Sequence, residues 1–380
     1  MFKKTFLNGA VLALMSMTLA GCGLFSGSTA HEPVDLVNIQ PTEKINAVWS
    51  ASVGESVNGM LTPVVVDNAV YAAGGKTLRR LDPANGRTVW SVDLGHDVAA
   101  GVGSDGLTQC VVTVDGMLHA YNAEGKAMWT AALSTDAQIP PLVGNGLVVV
   151  MTSDSRIVAY DEATGTPRWH YLGQVPPLTV RVFKALSWSP AGILVGQANG
   201  RLLALDPEGK PVFDLTVANA SGITEVERLV DVVGRPLVSP NVICAAAFQG
   251  EAVCMHAQNG ALLWVDKVDA VTGPVSDGNL IYVVDSRGTV HAYNGVNGHK
   301  VWENGELTYR QVSTPVPFGD NGVAVGDYEG VISVMDRDTG RFIARTKLSG
   351  AVNTPAVPMG HGAVFQTVKG DVTFLTPQKL

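Results

Sequence analysis

The stretch that decides the fold is Leu81–Trp90, "LDPANGRTVW", because the chain writes it again and again. It returns as "AYNAEGKAMW" (120–129), "AYDEATGTPRW" (159–169), "LDPEGKPVF" (205–213), "MHAQNGALLW" (255–264), "YNGVNGHKVW" (293–302) and "MDRDTGRFIA" (335–344). The closing aromatic is Trp90, Trp129, Trp169, Phe213, Trp264 and Trp302, and Ala344 takes its place in the last copy. A period near forty residues is that of one four-stranded propeller blade.

Working outward, each unit resolves into short apolar runs broken by turn residues. "TPVVV" turns at Asp67-Asn68 into "AVYAA", which turns at Gly74-Gly75 into "TLRRLD". A loop through Asn85-Gly86 then leads to "TVWSVDL". Asn-Gly and Asp-Gly pairs accept the positive φ of tight hairpins, and the apolar alternation has a period of two. Asp82, Asn122, Asp161, Asp206, Asn294 and Asp336 enter the same turn. A short acceptor there binds the turn's own N–H groups, so these carboxylates read as structural. The recurring tryptophan is expected to pack between neighbouring blades.

Seven phrases are complete. An eighth, "TPAVPMGHGAVFQTVKGDVTFLT" (354–376), stops after three strands, while "INAVWSASVG" (45–54) carries Trp49 in the aromatic slot. Pairing the two closes the ring and leaves no dangling edge. The expectation is an all-β, eight-bladed propeller of four-stranded antiparallel blades over 45–377.

Composition agrees. Forty-two glycines and only 16% charged residues suit short strands and tight turns, not disorder. A net charge of -8 and the absence of basic runs argue against nucleic acid. Lys3, Lys4 and "FLNGAVLALMSMTLA" read as a signal peptide over 1–21, too short for a membrane span. It ends in "LAGC", which resembles the bacterial lipobox, making Cys22 the lipidated N-terminus. Gly23, where inner-membrane lipoproteins tend to carry Asp, implies the outer membrane of a Gram-negative cell. Residues 22–44 read as a flexible tether. Cys244 and Cys254 flank a hairpin turning at Gln249-Gly250; they form either a disulfide or two buried thiols. Cys110 has no evident partner.

Catalysis leaves little trace: there is no GxSxG, HExxH, CxxC or phosphate loop. His119 and His291 share a repeat slot with Leu203, which marks a strand position without chemistry. No cofactor or metal is expected. The blade sequence resembles the quinoprotein type, but without the adjacent cysteine pair, calcium ligands or haem site of the dehydrogenases; fold alone does not confer their activity. A periplasmic quinoprotein-like dehydrogenase and a propeller binding cell wall or carbohydrate are the alternatives.

Two connections break the rhythm: "GQVPPLTVRVFKAL" (173–186) and "VANASGITEVERLVDVVGR" (217–235). Both follow the outermost strand of one blade and precede the innermost strand of the next, so they should be neighbours on one face, often the binding face of a repeat protein. One helical turn is expected within "ITEVERLVDV". Together with the lipobox and the propeller, these insertions resemble the BamB family, lipoproteins of the outer-membrane β-barrel assembly machinery. The resemblance covers the whole chain. It implies a non-enzymatic scaffold at the periplasmic face of the outer membrane that binds the POTRA domains of BamA and assists barrel folding and insertion, with unfolded outer-membrane proteins as further partners. Carried over residue by residue, it assigns contact to Leu178, Val180 and Arg181 on the first insertion and to Asp231 on the second. Val233 stands where the family has a second acid. Glu225, Glu227 and Arg228 share that insertion and are added to the expected contact set. An apolar pair beside an arginine is also what interface anchors are made of.

Overall fold

A computed structural model describes residues 31–174 and 178–380. The leader and Cys22 lie outside these residues. The chain from Glu43 to Lys379 forms eight four-stranded sheets. In the first seven, four consecutive strands pair in chain order from the innermost to the outermost, as in blade 1: Val64–Val66, Ala69–Gly74, Thr77–Leu81 and Thr88–Asp93. The second strand of each blade is largely buried on both faces, since both abut neighbouring sheets; Ala69–Gly74 and Leu147–Met151 are buried throughout. The tight turns have the expected backbone. Asp67 and Asn68 both adopt positive φ, as does Gln249 before Gly250.

The repeated phrase is a staple from each blade to the next. In six blades the outer-strand tryptophan donates its Nε1–H to a carbonyl in the third turn of the following blade. Trp49 reaches Pro83 at 2.7 Å, Trp90 reaches Ala123 at 2.9 Å, Trp129 reaches Glu162 at 2.8 Å, and Trp302 reaches Arg337 at 2.7 Å. The accepting residue always follows the Asx residue, whose side chain holds the turn's own amides: Asp82 accepts from Ala84, Asp161 from Thr164, Asp206 from Glu208 and Lys210. The phrase's glycine closes the joint. A Cβ on Gly165 (φ +70°) would lie 2.5 Å from the Trp129 ring, and the same holds for Gly340 against Trp302. Glycine is therefore needed twice, for the left-handed backbone and for the indole that lies on it. One strand bulge before each aromatic, as between Arg80 and Leu81, turns the ring toward its neighbour.

The ring closes as the sequence expects. Glu43–Ser52 pairs antiparallel with Asp371–Lys379 to complete blade 8, with Trp49 opposite Phe374. That closure also explains Ala344. The third turn of blade 8 is replaced by the two chain ends, so an aromatic at 344 would have no turn to grip; Ile45 and Ile343 pack there instead.

The expected flexible tether differs from what is seen over Val34–Thr42. This segment is not a strand, yet it is fastened to blades 6 and 7. Val34 donates to the Thr308 carbonyl (3.1 Å), and Arg310 and Arg345 donate to the Val34 and Val37 carbonyls (3.0 and 2.7 Å). Leu36 packs on the blade 6–7 core. The physical reason is that two guanidiniums supply backbone acceptors with charged donors. Arg310 is itself buried between Asp327 (2.8 Å) and Glu329. In the second hairpin of blade 5, Cys244 lies opposite Cys254, their Cα atoms 4.2 Å apart and their sulfurs joined in a disulfide. Cys110 is buried and free, and burial pushes its thiol pKa well up.

Candidate functional site

Both insertions emerge from outermost strands and lead into innermost ones: 173–186 joins blades 3 and 4, and 217–231 joins blades 4 and 5. The first does not simply bridge its own blades. Its Lys184 forms a parallel bridge with Gly234 at the start of blade 5, Gly234 N–H donates to Phe183 O (2.9 Å), and Ala185 N–H donates to Gly234 O (3.1 Å). At its other end the Arg181 guanidinium approaches the Asn58 carbonyl at 3.4 Å, on the connection into blade 1. The first insertion therefore crosses the face from blade 5 toward blade 1.

Asp231 holds the two insertions together. It is 0% exposed. Its Oδ2 accepts from Lys184 Nζ at 2.5 Å and from Val180 N–H at 2.9 Å. A partner cannot reach this carboxylate, so the expected contact role is corrected: Asp231 is an internal strut, set at the point where the second insertion turns down into the blade. Val233 is likewise buried, packed in the core between blades 5 and 6. An acid missing at 233 therefore removes nothing from the surface.

Apolar side chains stand outward on both insertions, beside Arg181. Leu178 is 44% exposed and Arg181 is exposed, while Val180 is half-buried with its amide directed at Asp231. On the second insertion Ile223 is 93% exposed and Val226 60%. Neither was singled out from the sequence. The signal was an apolar residue at every third position, 223 and 226, of a segment already identified as an insertion, where no core awaits them.

That segment keeps its shape through a capping box. Thr224 Oγ1 accepts from Glu227 N–H (3.2 Å), and the Glu227 carboxylate accepts from Thr224 N–H (3.0 Å) and Ile223 N–H (2.8 Å). One turn follows over 225–228, with Arg228 N–H donating to Thr224 O at 3.2 Å. Those backbone amides hold the Glu227 carboxyl below its usual range. Glu227 is thus occupied by its own backbone, and Glu225 pairs with Arg228 at 2.6 Å. Gln249, at the disulfide-bonded hairpin, donates to Val226 O (3.3 Å) and steadies the turn from below. Rigid apolar side chains beside an exposed arginine bury area at little ordering cost. Among the described residues, no group of three His, Cys, Asp or Glu is placed to hold a metal ion.

Comparison with known proteins follows the same outline. A family model described as outer membrane protein assembly factor BamB matches residues 74–304 and 286–379. The outer membrane protein assembly factor BamB of Burkholderia pseudomallei is 35% identical over 350 residues, covering 91% of this chain and 92% of that one. The crystal structure of BamB from Moraxella catarrhalis superposes with a TM-score of 0.79 at 26% identity, over 87% of this chain and 99% of that chain. Quinohemoprotein alcohol dehydrogenase from Comamonas testosteroni gives a TM-score of 0.68 at 14% identity, over 87% and 76% of the two chains. That last likeness is one of fold alone.

Proposed function

Because this chain belongs to the BamB family of outer membrane protein assembly factors, we propose that it is a non-enzymatic platform of the barrel-assembly machinery, lipid-anchored through Cys22 at the periplasmic face of the outer membrane. Its insertion face docks the POTRA domains of BamA, with Leu178 and Arg181 from the first insertion and Ile223 and Val226 from the second in contact. Val180 and Asp231 hold the first insertion in place, and Glu227 holds the second. Unfolded outer-membrane proteins are further partners of the same machinery.

The observation that carries this reading is the exposed apolar set beside Arg181, fixed by the buried Asp231–Lys184 pair and by the Thr224–Glu227 capping box. A rim of solvent-exposed side chains does not need such internal bracing; a docking surface does, because pre-organisation lowers the entropic cost of association.

The test is recovery of BamA with this chain after mild detergent extraction, for the native sequence and for Arg181→Glu. Charge reversal is expected to lower recovery by about tenfold or more, the range for a central arginine. Undiminished recovery with Arg181→Glu, in a chain that remains folded, would remove the insertion face from the contact. Retention on cell-wall material without BamA would favour the carbohydrate-binding alternative, and dye-linked oxidation of alcohols the dehydrogenase.

A further inference from the structure

The innermost strands enclose an axial cavity of about 570 Å³, lined by proline, valine and other apolar residues from every blade. Among the thirty described residues that line it, one is ionisable, Arg235. The arginine arrives there by a deliberate break in the sheet. Along the innermost strand of blade 5, Val233 pairs with Ala246 and Leu237 with Cys244, so Gly234, Arg235 and Pro236 together face Ala245. Bulges of this kind re-aim a side chain. Gly234 (φ +67°) and Gly273 make the turn possible: a Cβ on Gly234 would lie 1.9 Å from Gly273 N, and one on Gly273 would lie 2.6 Å from Arg235 N and O.

Among the described residues nothing answers the charge. Among the described residues, no hydrogen bond or ion pair engages the Arg235 guanidinium, and no carboxylate lines the cavity. The Arg235 side chain is exposed, yet protein surrounds it at longer range, and this surrounding lowers its pKa from the ordinary guanidinium value. An arginine stays charged regardless, so the cavity presents a cation for which its walls supply no counter-ion. Among the described residues, no second cationic side chain lines the walls. Prolines at 63, 141, 274, 315 and 355 have no N–H to donate, and Trp188 gives its Nε1–H to Val143 O at 3.0 Å.

We propose that the axial cavity binds a small carboxylate with an apolar body, the carboxylate received by Arg235 and the body held against the proline and Trp188 wall. Guanidinium and carboxylate match in charge and in their paired donors and acceptors, and the volume suits a ligand of that class. The assignment is independent of how the insertion face is used.

The test uses the full chain and three probes: 4-phenylbutyrate, its neutral amide 4-phenylbutyramide, and inorganic phosphate. Calorimetric titration is paired with thermal unfolding, since a ligand that binds only the native state raises Tm. The carboxylate is expected to bind and raise Tm, with the amide about tenfold weaker or more, as befits loss of a charged hydrogen-bonding group. Arg235→Gln is expected to lose the same factor. Equal binding of acid and amide, equal binding by Arg235→Gln, phosphate binding as tightly as the carboxylate, or no binding of 4-phenylbutyrate at millimolar concentration would each overturn the assignment. The acid-versus-amide comparison needs no variant, so a misfolded Arg235→Gln chain leaves the test standing.

Discussion

Replacing Asp231 by Asn separates a strut from a contact. The carboxylate is wholly buried, and its Oδ2 serves both Lys184 Nζ and Val180 N–H. Asparagine keeps the shape and one acceptor but removes the charge, leaving the Lys184 ammonium, 15% exposed at its side chain, without its counter-ion. Breaking a buried pair from one side costs about 3–5 kcal/mol. Lys184 can swing partly toward water and Val180 keeps an amide acceptor, so the lower end, about 3 kcal/mol, is expected. At about 2 °C or more per kcal/mol for a large domain, that is a fall in Tm of about 6 °C. Hydrogen exchange over 178–186 should quicken, and BamA recovery should fall because Arg181 loses its support. The added change Lys184→Met should restore most of the stability, since the pair is then removed from both sides. The reasoning fails if Asp231→Asn loses BamA with Tm and exchange unchanged, or if Lys184→Met brings no recovery.

Other consequences can be measured on the same footing. Gly165→Ala should cost about 2–4 kcal/mol in urea unfolding, from left-handed strain plus collision with Trp129. Gly260→Ala should cost only about 1 kcal/mol, since that glycine has φ +67° but open space around it; equal costs would deny the staple its steric part. Reducing Cys244–Cys254, ten residues apart, should lower stability by at most about 3 kcal/mol and leave BamA recovery intact, because the hairpin is already paired on both sides. The Asp161 carboxyl is held down to about 2 by Arg168 and then by Thr164. Its folded value is depressed, so its contribution is present above the unfolded value of about 3.9 and is lost as pH falls through about 2. Arg168→Ala should move the Asp161 titration upward, read by NMR of the carboxyl carbon.

The repeat was legible because a propeller rewards local regularity. Each blade is built from consecutive strands, so turn chemistry, alternation and the Asx–Gly–Trp spacing all appear within forty residues. Even ring closure could be read, since Trp49 is a phrase-ending without a phrase. The insertions could be located as breaks in the rhythm, but the direction of each side chain within them could not.

Asp231 and Arg181 are both charged residues in insertions, yet one is a buried strut and the other is exposed. Which is which depends on Lys184 crossing to blade 5, a contact between residues 47 apart. Arg235 likewise reads as an ordinary strand residue until the bulge opposite Ala245 turns it into the axial cavity. Sequence alone determined what short-range backbone preferences and burial periodicity dictate: the blades, their number and their staples. Burial of a single charge is set by what the rest of the chain brings alongside it, and only the closed ring supplied those neighbours.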